Sequence, residues 1–408
     1  MPEAISEEMI LASIAKVPWS YLAHAYHKRP DAPYRLRQFV KAGRRNDAEA
    51  LDWLDFSVLH QGNIYSASPP ILWILTDLLA LRLDHPAAEA ILNGLHCIAE
   101  AYVSVLLRSG DVDEPHPVRK SEPGAPYWEV WVDGPLQYFG KAPPEYFRAS
   151  AVTSRALREV ILHARPVIAQ YLRSPERTEL FNAAFGAWFY SVQVKPIPET
   201  AISELRNLVG NSTIAPAAQV SAVMLLGALG EDIGPLITHP DWRVRLGAAL
   251  STTTQDREES VRELTAALEK EDQLMLEFPN GLVHVGLHVY FHIHQALLER
   301  TSPATVPRVT LDAICGFIQR HSSTHIPDLT WGRALEWAFP ERRAPRLPLP
   351  PEEFMALPRD FSPTERAVLE TLCRANQIWD PKSGNASLAF TRVQFPHDRE
   401  KIRRLLST

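Results

Sequence analysis

Three histidines raise the first question of chemistry in this chain. His284, His288 and His292 recur every four residues in the run from Gly281 to His294. On a helix they share one face, at the i, i+4 spacing by which imidazoles converge on one metal ion. No carboxylate or thiolate joins them there; Glu277 and Glu299 stand several residues away. The same run alternates, with Val283, Val285, Leu287, Val289, Phe291 and Ile293 separating its other residues. A period of two with β-branched residues suits a strand. The run therefore reads as either helix or strand. Its histidines read either as ligands or, the preferred reading, as packed side chains with their hydrogen bonds satisfied. No metal and no cofactor is expected.

Nucleophilic and phosphate-handling motifs are missing. There is no Gly-x-Ser-x-Gly and no Walker-type or paired glycine-rich loop. Cys97 follows His96, but adjacent residues on a helix point in different directions. Arg245 is expected to pair with an acidic neighbour rather than clamp a substrate. Lys401, Arg403 and Arg404 close the last helical pattern, where positive charge suits the helix dipole. The chain is expected not to be an enzyme.

Two segments could bind a partner. The first holds Tyr127, Trp128, Trp131 and Tyr138, with Tyr146 and Phe147 behind them, among Pro115, Pro117, Pro123, Pro126, Pro135, Pro143 and Pro144. Aromatic anchors on a loop are typical interface hot spots, and a long proline-rich loop is costly to order unless it is used. The other reading folds this loop back over a groove. The second segment runs from His60 through Gln61 and Gly62 to Tyr65. His60, Gln61 and Tyr65 are candidate contacts there. Its structural reading is a tight turn, with Gly62 free to take positive φ.

The elements that must position these residues are helical. Proline is abundant, 34 in 408 residues, but it punctuates rather than clusters: Pro69, Pro86, Pro166, Pro175, Pro216, Pro235, Pro240 and Pro363 each stand at the head of a helical pattern. Helices are expected at 71–82, with Ser68 as N-cap, and at 87–108, 152–171 with a restart at Pro166, 177–190, 201–209, 216–229, 241–252 and 258–273. Ser362-Pro363-Thr364-Glu365 is a capping box that opens a further helix. Three far-spaced cysteines, Cys97, Cys315 and Cys373, read as buried reduced thiols, which suits a reducing compartment. The acidic first residues do not resemble a signal peptide, and no stretch nears the roughly 20 apolar residues of a membrane span. A cytoplasmic protein without membrane association is expected.

Paired small residues recur: Ala183-Ala184, Ala222, and Ala248-Ala249. They let neighbouring helices approach closely, so that successive hairpins stack into one core. The block His239-Pro-Asp241-Trp-Arg-Val244-Arg245-Leu-Gly-Ala248-Ala249-Leu250 resembles the second helix of a HEAT repeat. With the His60–Tyr65 block and the block from Phe361 to Leu406, the chain is similar to bacterial HEAT-repeat proteins. That resemblance implies an all-α fold: an α-solenoid of HEAT-like helical hairpins with a long aromatic loop insertion and a C-terminal capping element. The expected segments are N-terminal hairpins at 1–108, the loop insertion at 109–149, the repeat array at 150–340, a proline-rich linker at 341–360 and capping helices at 361–408.

The function expected from this is a non-catalytic protein-binding scaffold. One form of it is an immunity-type protein that neutralises a toxin, since a net charge of −6 suits a basic partner. The same charge makes nucleic acid an unlikely ligand. The alternative is a HEAT-like DNA glycosylase or other nucleic-acid-acting enzyme, with Asp241, Trp242, Arg243 and Arg245 as its nearest candidates.

Overall fold

The computed structural model describes residues 5–17, 19, 32–41, 53–54, 67–109, 144–211, 213–284, 288–322, 327, 330–344, 353–358, 360–380 and 384–407, with the side chains of 104–109, 144–156 and 384 left aside. Among them the regular elements are helical: α1 Glu7–Lys16, α2 Ala32–Lys41, α3 Ser68–Leu81, α4 Ala88–Ser109, α5 Pro144–Tyr171, α6 Thr178–Ser191, α7 Ala201–Gly210, α8 Pro216–Ala228, α9 Trp242–Leu250, α10 Glu258–Leu268, α11 Glu271–Glu277, α12 Val289–Arg300, α13 Arg308–Arg320, α14 Trp331–Ala338, α15 Pro363–Arg374, α16 Gly384–Arg392 and α17 Arg399–Leu406. No helix of the described residues is long and apolar enough to cross a membrane. The chain divides into two compact units, Met1–Glu204 with Ser212–Ala218, and Leu205–Asn211 with Gln219–Thr408. The division falls inside the range 150–340 read from sequence as one array.

In the first unit α3 packs on α5, and α4 packs on α6. α5 is one continuous helix through Pro166, not two. Its buried residues Leu157, Val160, Ile161, Ala164, Val167, Ile168 and Tyr171 keep helical spacing on both sides of the proline. Burial of that unbroken stripe outweighs the one backbone hydrogen bond a proline removes. α5 also begins at Pro144, within the segment read as a loop. Ser68 is not an N-cap. Ala67 precedes α3 without a side-chain cap, and Ser68 is the buried first residue of the helix.

The second unit carries a regular packing pattern. α9, α12, α14 and α16 contact one another in succession, and so do α10, α13, α15 and α17. The helices thus form two parallel rows. Each row is tied by arginines that cross to the carboxyl end of a row neighbour. Arg300 of α12 donates to Ala249 O and, at 2.8 Å, to Ser251 O at the end of α9. Arg320 of α13 reaches Leu268 O of α10 at 3.3 Å, and Arg366 of α15 reaches Leu406 O of α17 at 2.6 Å. Arg399 of α17 reaches Cys373 O of α15 at 2.8 Å. Last-turn carbonyls have no partner within their own helix, and a cation there also meets the negative end of the dipole.

Local sequence explains the ends. Asp241 caps α9 by accepting from Arg243 N at 2.9 Å. Ser362 and Glu365 make both bonds of the capping box, at 3.2 and 2.7 Å. The helix expected at 258–273 is broken into α10 and α11 at Glu269-Lys270. Gly247 is where small size matters most: a Cβ there would lie 2.8 Å from Val220 O and from Val223 Cβ of α8. Val368, Leu369, Phe390 and Ile402 of the C-terminal helices share one core with Leu298, Ile314, Trp331 and Leu335.

Candidate interaction clefts

The aromatic candidates Tyr127, Trp128, Trp131 and Tyr138, and the contacts His60, Gln61 and Tyr65, lie outside the described residues. The histidine run is settled in part. α12 starts at Val289, with His288 at its N-cap and His284 in a turn before it. The three histidines therefore do not share a helical face. His284 is 4% exposed and bonds Ser221 Oγ through Nδ1 at 2.9 Å. His288 stacks on Tyr290, with centroids 5.1 Å apart. His292 Nε2 is buried without a hydrogen-bond partner, and burial pushes its pKa below the ordinary histidine value. Among the described residues no group of three His, Cys, Asp or Glu is placed to hold a metal ion.

The residues nearest to a glycosylase-type site have structural partners. Asp241 is the N-cap of α9, Arg243 pairs with Glu277 at 2.8 Å, and Arg245 pairs with Glu263 at 3.0 Å while also donating to His239 O. Trp242 packs edge-on against Phe278.

A cleft of about 560 Å³ opens at the carboxyl end of the second unit. Its apolar lining includes Phe354, Leu357, Phe395 and Pro396, and its polar lining includes Ser387 and Thr391 of α16, His397, Asp398 and Lys401. Met355 lines it while 47% exposed, and Leu388 stands beside Ser387 at 39% exposed. One buried arginine builds it. Arg342, 6% exposed, donates to Val393 O at 3.3 Å, Ala356 O at 2.8 Å, Met355 O at 3.2 Å and Gln394 O at 2.9 Å. Gln394 takes the amide of Met355 at 2.9 Å. Segment 353–358 is thus held by its backbone, which leaves its side chains to line the cleft. Arg342 belongs to the stretch read from sequence as a linker, and its own side chain is buried.

A second cleft, about 320 Å³, lies between α12 and α14. Leu298, Pro303, Trp337 and Pro340 form its apolar walls, with Gln295, Glu299, Arg333, Glu336 and Arg343 as its polar lining. Three guanidiniums converge on Glu336: Arg343 at 2.8 Å, Arg392 at 3.5 Å and Arg333 at 3.9 Å. Arg392 ends α16, and its carbonyl accepts from Ala344 N at 2.7 Å, so the two clefts flank the same short segment.

Sequence reading also missed an aspartate–histidine pair in the first unit. His163 of α5 donates through Nε2 to Asp77 of α3 at 2.7 Å and stacks flat on Trp73 at 3.9 Å. An acceptor-only carboxylate there fixes the imidazole tautomer and ties two helices.

No family model, curated protein or solved structure matches this chain.

Proposed function

We propose that this chain is a non-catalytic α-solenoid of HEAT-like hairpins whose work is to bind another protein. The two rows of helices in the second unit support the solenoid reading, because stacked hairpins pack row to row. The observation that carries the binding reading is the C-terminal cleft. A cleft whose lining mixes apolar and polar side chains, with an exposed methionine among them, can seat one anchoring side chain. Methionine suits such a wall because its flexible thioether fits differing shapes.

The occupant we assign is an apolar side chain of a basic protein partner. The net charge of −6 attracts such a partner at long range. An immunity-type protein holding a basic toxin is one form of this reading. A photo-crosslinker at position 355 tests it, with one at the exposed Tyr34 of the first unit as control. A single stoichiometric partner, rebinding after purification and crosslinking from 355 alone, supports the reading. Crosslinking equal at both positions, or none, speaks against it.

A further inference from the structure

The cleft over Trp337 is chemically unlike the apolar one. The Arg343 side chain makes one hydrogen bond, to Glu336, and the Arg333 side chain makes none, reaching Glu336 only at 3.9 Å. A guanidinium carries five N–H donors in a planar fork. Both arginines are about half exposed or more, at 46% and 63%, and both line the cleft. Glu336 is the only carboxylate bonded to them among the described residues, and it is shared with Arg392 as well. Two guanidiniums with unspent donors therefore line the cleft together with Trp337, Leu298 and Pro303. Such a fork can take a carboxylate through two parallel bonds, and apolar side chains beside it exclude water.

We propose that this cleft receives an acidic side chain of the protein partner, held by Arg333 and Arg343 against Trp337. The proposal rests on the protein-binding reading and names the chemistry of a second anchor. Glu299, which accepts from Gln295 at 2.7 Å, lines the same cleft. A protein surface offers a cation next to its acid, and Glu299 can face that cation. The partner is then basic in total and carries one acidic residue for this cleft.

The test uses the intact chain and a peptide probe, acetylated tetraglutamate amide, with a deoxythymidine decamer and tetralysine as comparisons. The readout is the indole N–H signal of Trp337 in heteronuclear NMR, assigned by its loss in Trp337→Phe. A saturable shift with tetraglutamate is expected, weakened about tenfold in Arg333→Gln/Arg343→Gln and weakened by salt. Arg333→Lys/Arg343→Lys, which keeps charge but not the fork, recovers only part of it. Both pairs of substitutions lie on exposed side chains, and an unchanged melting transition confirms folding. No shift at millimolar tetraglutamate overturns the proposal, and so does a stronger shift with the decamer. If the peptide fails while the purified partner still binds and crosslinks from position 355, this inference falls and the protein-binding reading stands. If no partner binds but the peptide does, the carboxylate site stands alone.

Discussion

Arg342 and Gln394 hold each other. The side-chain amide of Gln394 donates to Arg342 O at 3.0 Å, and the Arg342 guanidinium donates to Gln394 O at 2.9 Å. Gln394 does this from a left-handed backbone, φ 56°, which a non-glycine residue adopts only at a cost. The pair closes the turn after α16 and fixes segment 353–358 above it, so the apolar cleft exists because these two residues meet.

Replacing Arg342 with lysine tests that pairing. A lysine ammonium has three donors and no fork, and it cannot serve four carbonyls at once. Leaving buried carbonyls unpaired costs about 1–3 kcal/mol each before relaxation. Arg342→Lys is expected to lower stability in urea unfolding by more than about 2 kcal/mol. Gln394→Gly separates two effects: glycine removes the strain at positive φ but loses the bonds to Met355 N and Arg342 O. A net loss of stability is expected, and a gain would show that strain outweighs the clamp.

Gly247 lets α9 approach the backbone of α8 closely. An added Cβ meets backbone at Val220 O, which cannot swing aside as a flexible side chain would. Gly247→Ala is expected to destabilise by about 1–3 kcal/mol despite the better helix propensity of alanine. Thermal unfolding measures this, and a rise in melting temperature would contradict the packing described.

Acid is expected to unfold both units, for different reasons. His85 is buried, accepts from Ala87 N through Nδ1 at 3.1 Å, and contacts Phe39 O through Nε2 at 3.1 Å. Only the neutral Nε2–H tautomer satisfies both, and burial pushes its pKa below the ordinary value. The folded state therefore prefers neutral His85. That contribution is intact above pH 6.5 and declines as pH falls below it. Burial pushes Glu271 upward, but hydrogen bonds from His321 and Arg320, both at 2.6 Å, outweigh it and hold its pKa below the ordinary carboxylate value. Its contribution is present above pH 4.5 and is lost as pH falls through the lowered folded value. Urea midpoints followed from pH 7.5 to well below pH 4 should fall in two stages, the upper removed by His85→Phe and the lower by Glu271→Gln.

The row ties predict a further effect. Arg300→Met keeps a long apolar stem yet leaves Ala249 O without its arginine donor and Ser251 O with only its bonds from Thr254. A loss of about 1–3 kcal/mol is expected, with faster amide exchange at the end of α9. Unchanged exchange there would remove the ties from the account.

Much of the helical scaffold was legible in local residue types. Ser362 with Glu365 caps the helix it was read to cap, because capping needs only neighbours within three residues. Pro166 was misread because the stripe that keeps α5 continuous is burial against other helices, which sequence does not print. Residues 281–294 were ambiguous for a related reason. The alternation of Val283 to Ile293 is real, but the chain turns at His284, and only from Val289 does the helical spacing take over. The clefts were not legible at all. One gathers Arg342, Phe354, Met355 and Phe395, which no spacing rule connects, and Arg342 lay in a stretch whose prolines read as a linker.

In the function proposed above, the cleft lined by Met355 seats a partner's apolar side chain. The affinity of the purified partner for the wild-type chain and for Met355→Glu tests it most directly, by titration calorimetry. Met355 is held through its backbone and its side chain is half exposed, so the variant should fold with an unchanged melting transition. The account predicts that binding weakens at least about a hundredfold, the cost of burying an unpaired carboxylate in an apolar seat. An affinity equal to that of the wild-type chain would contradict it.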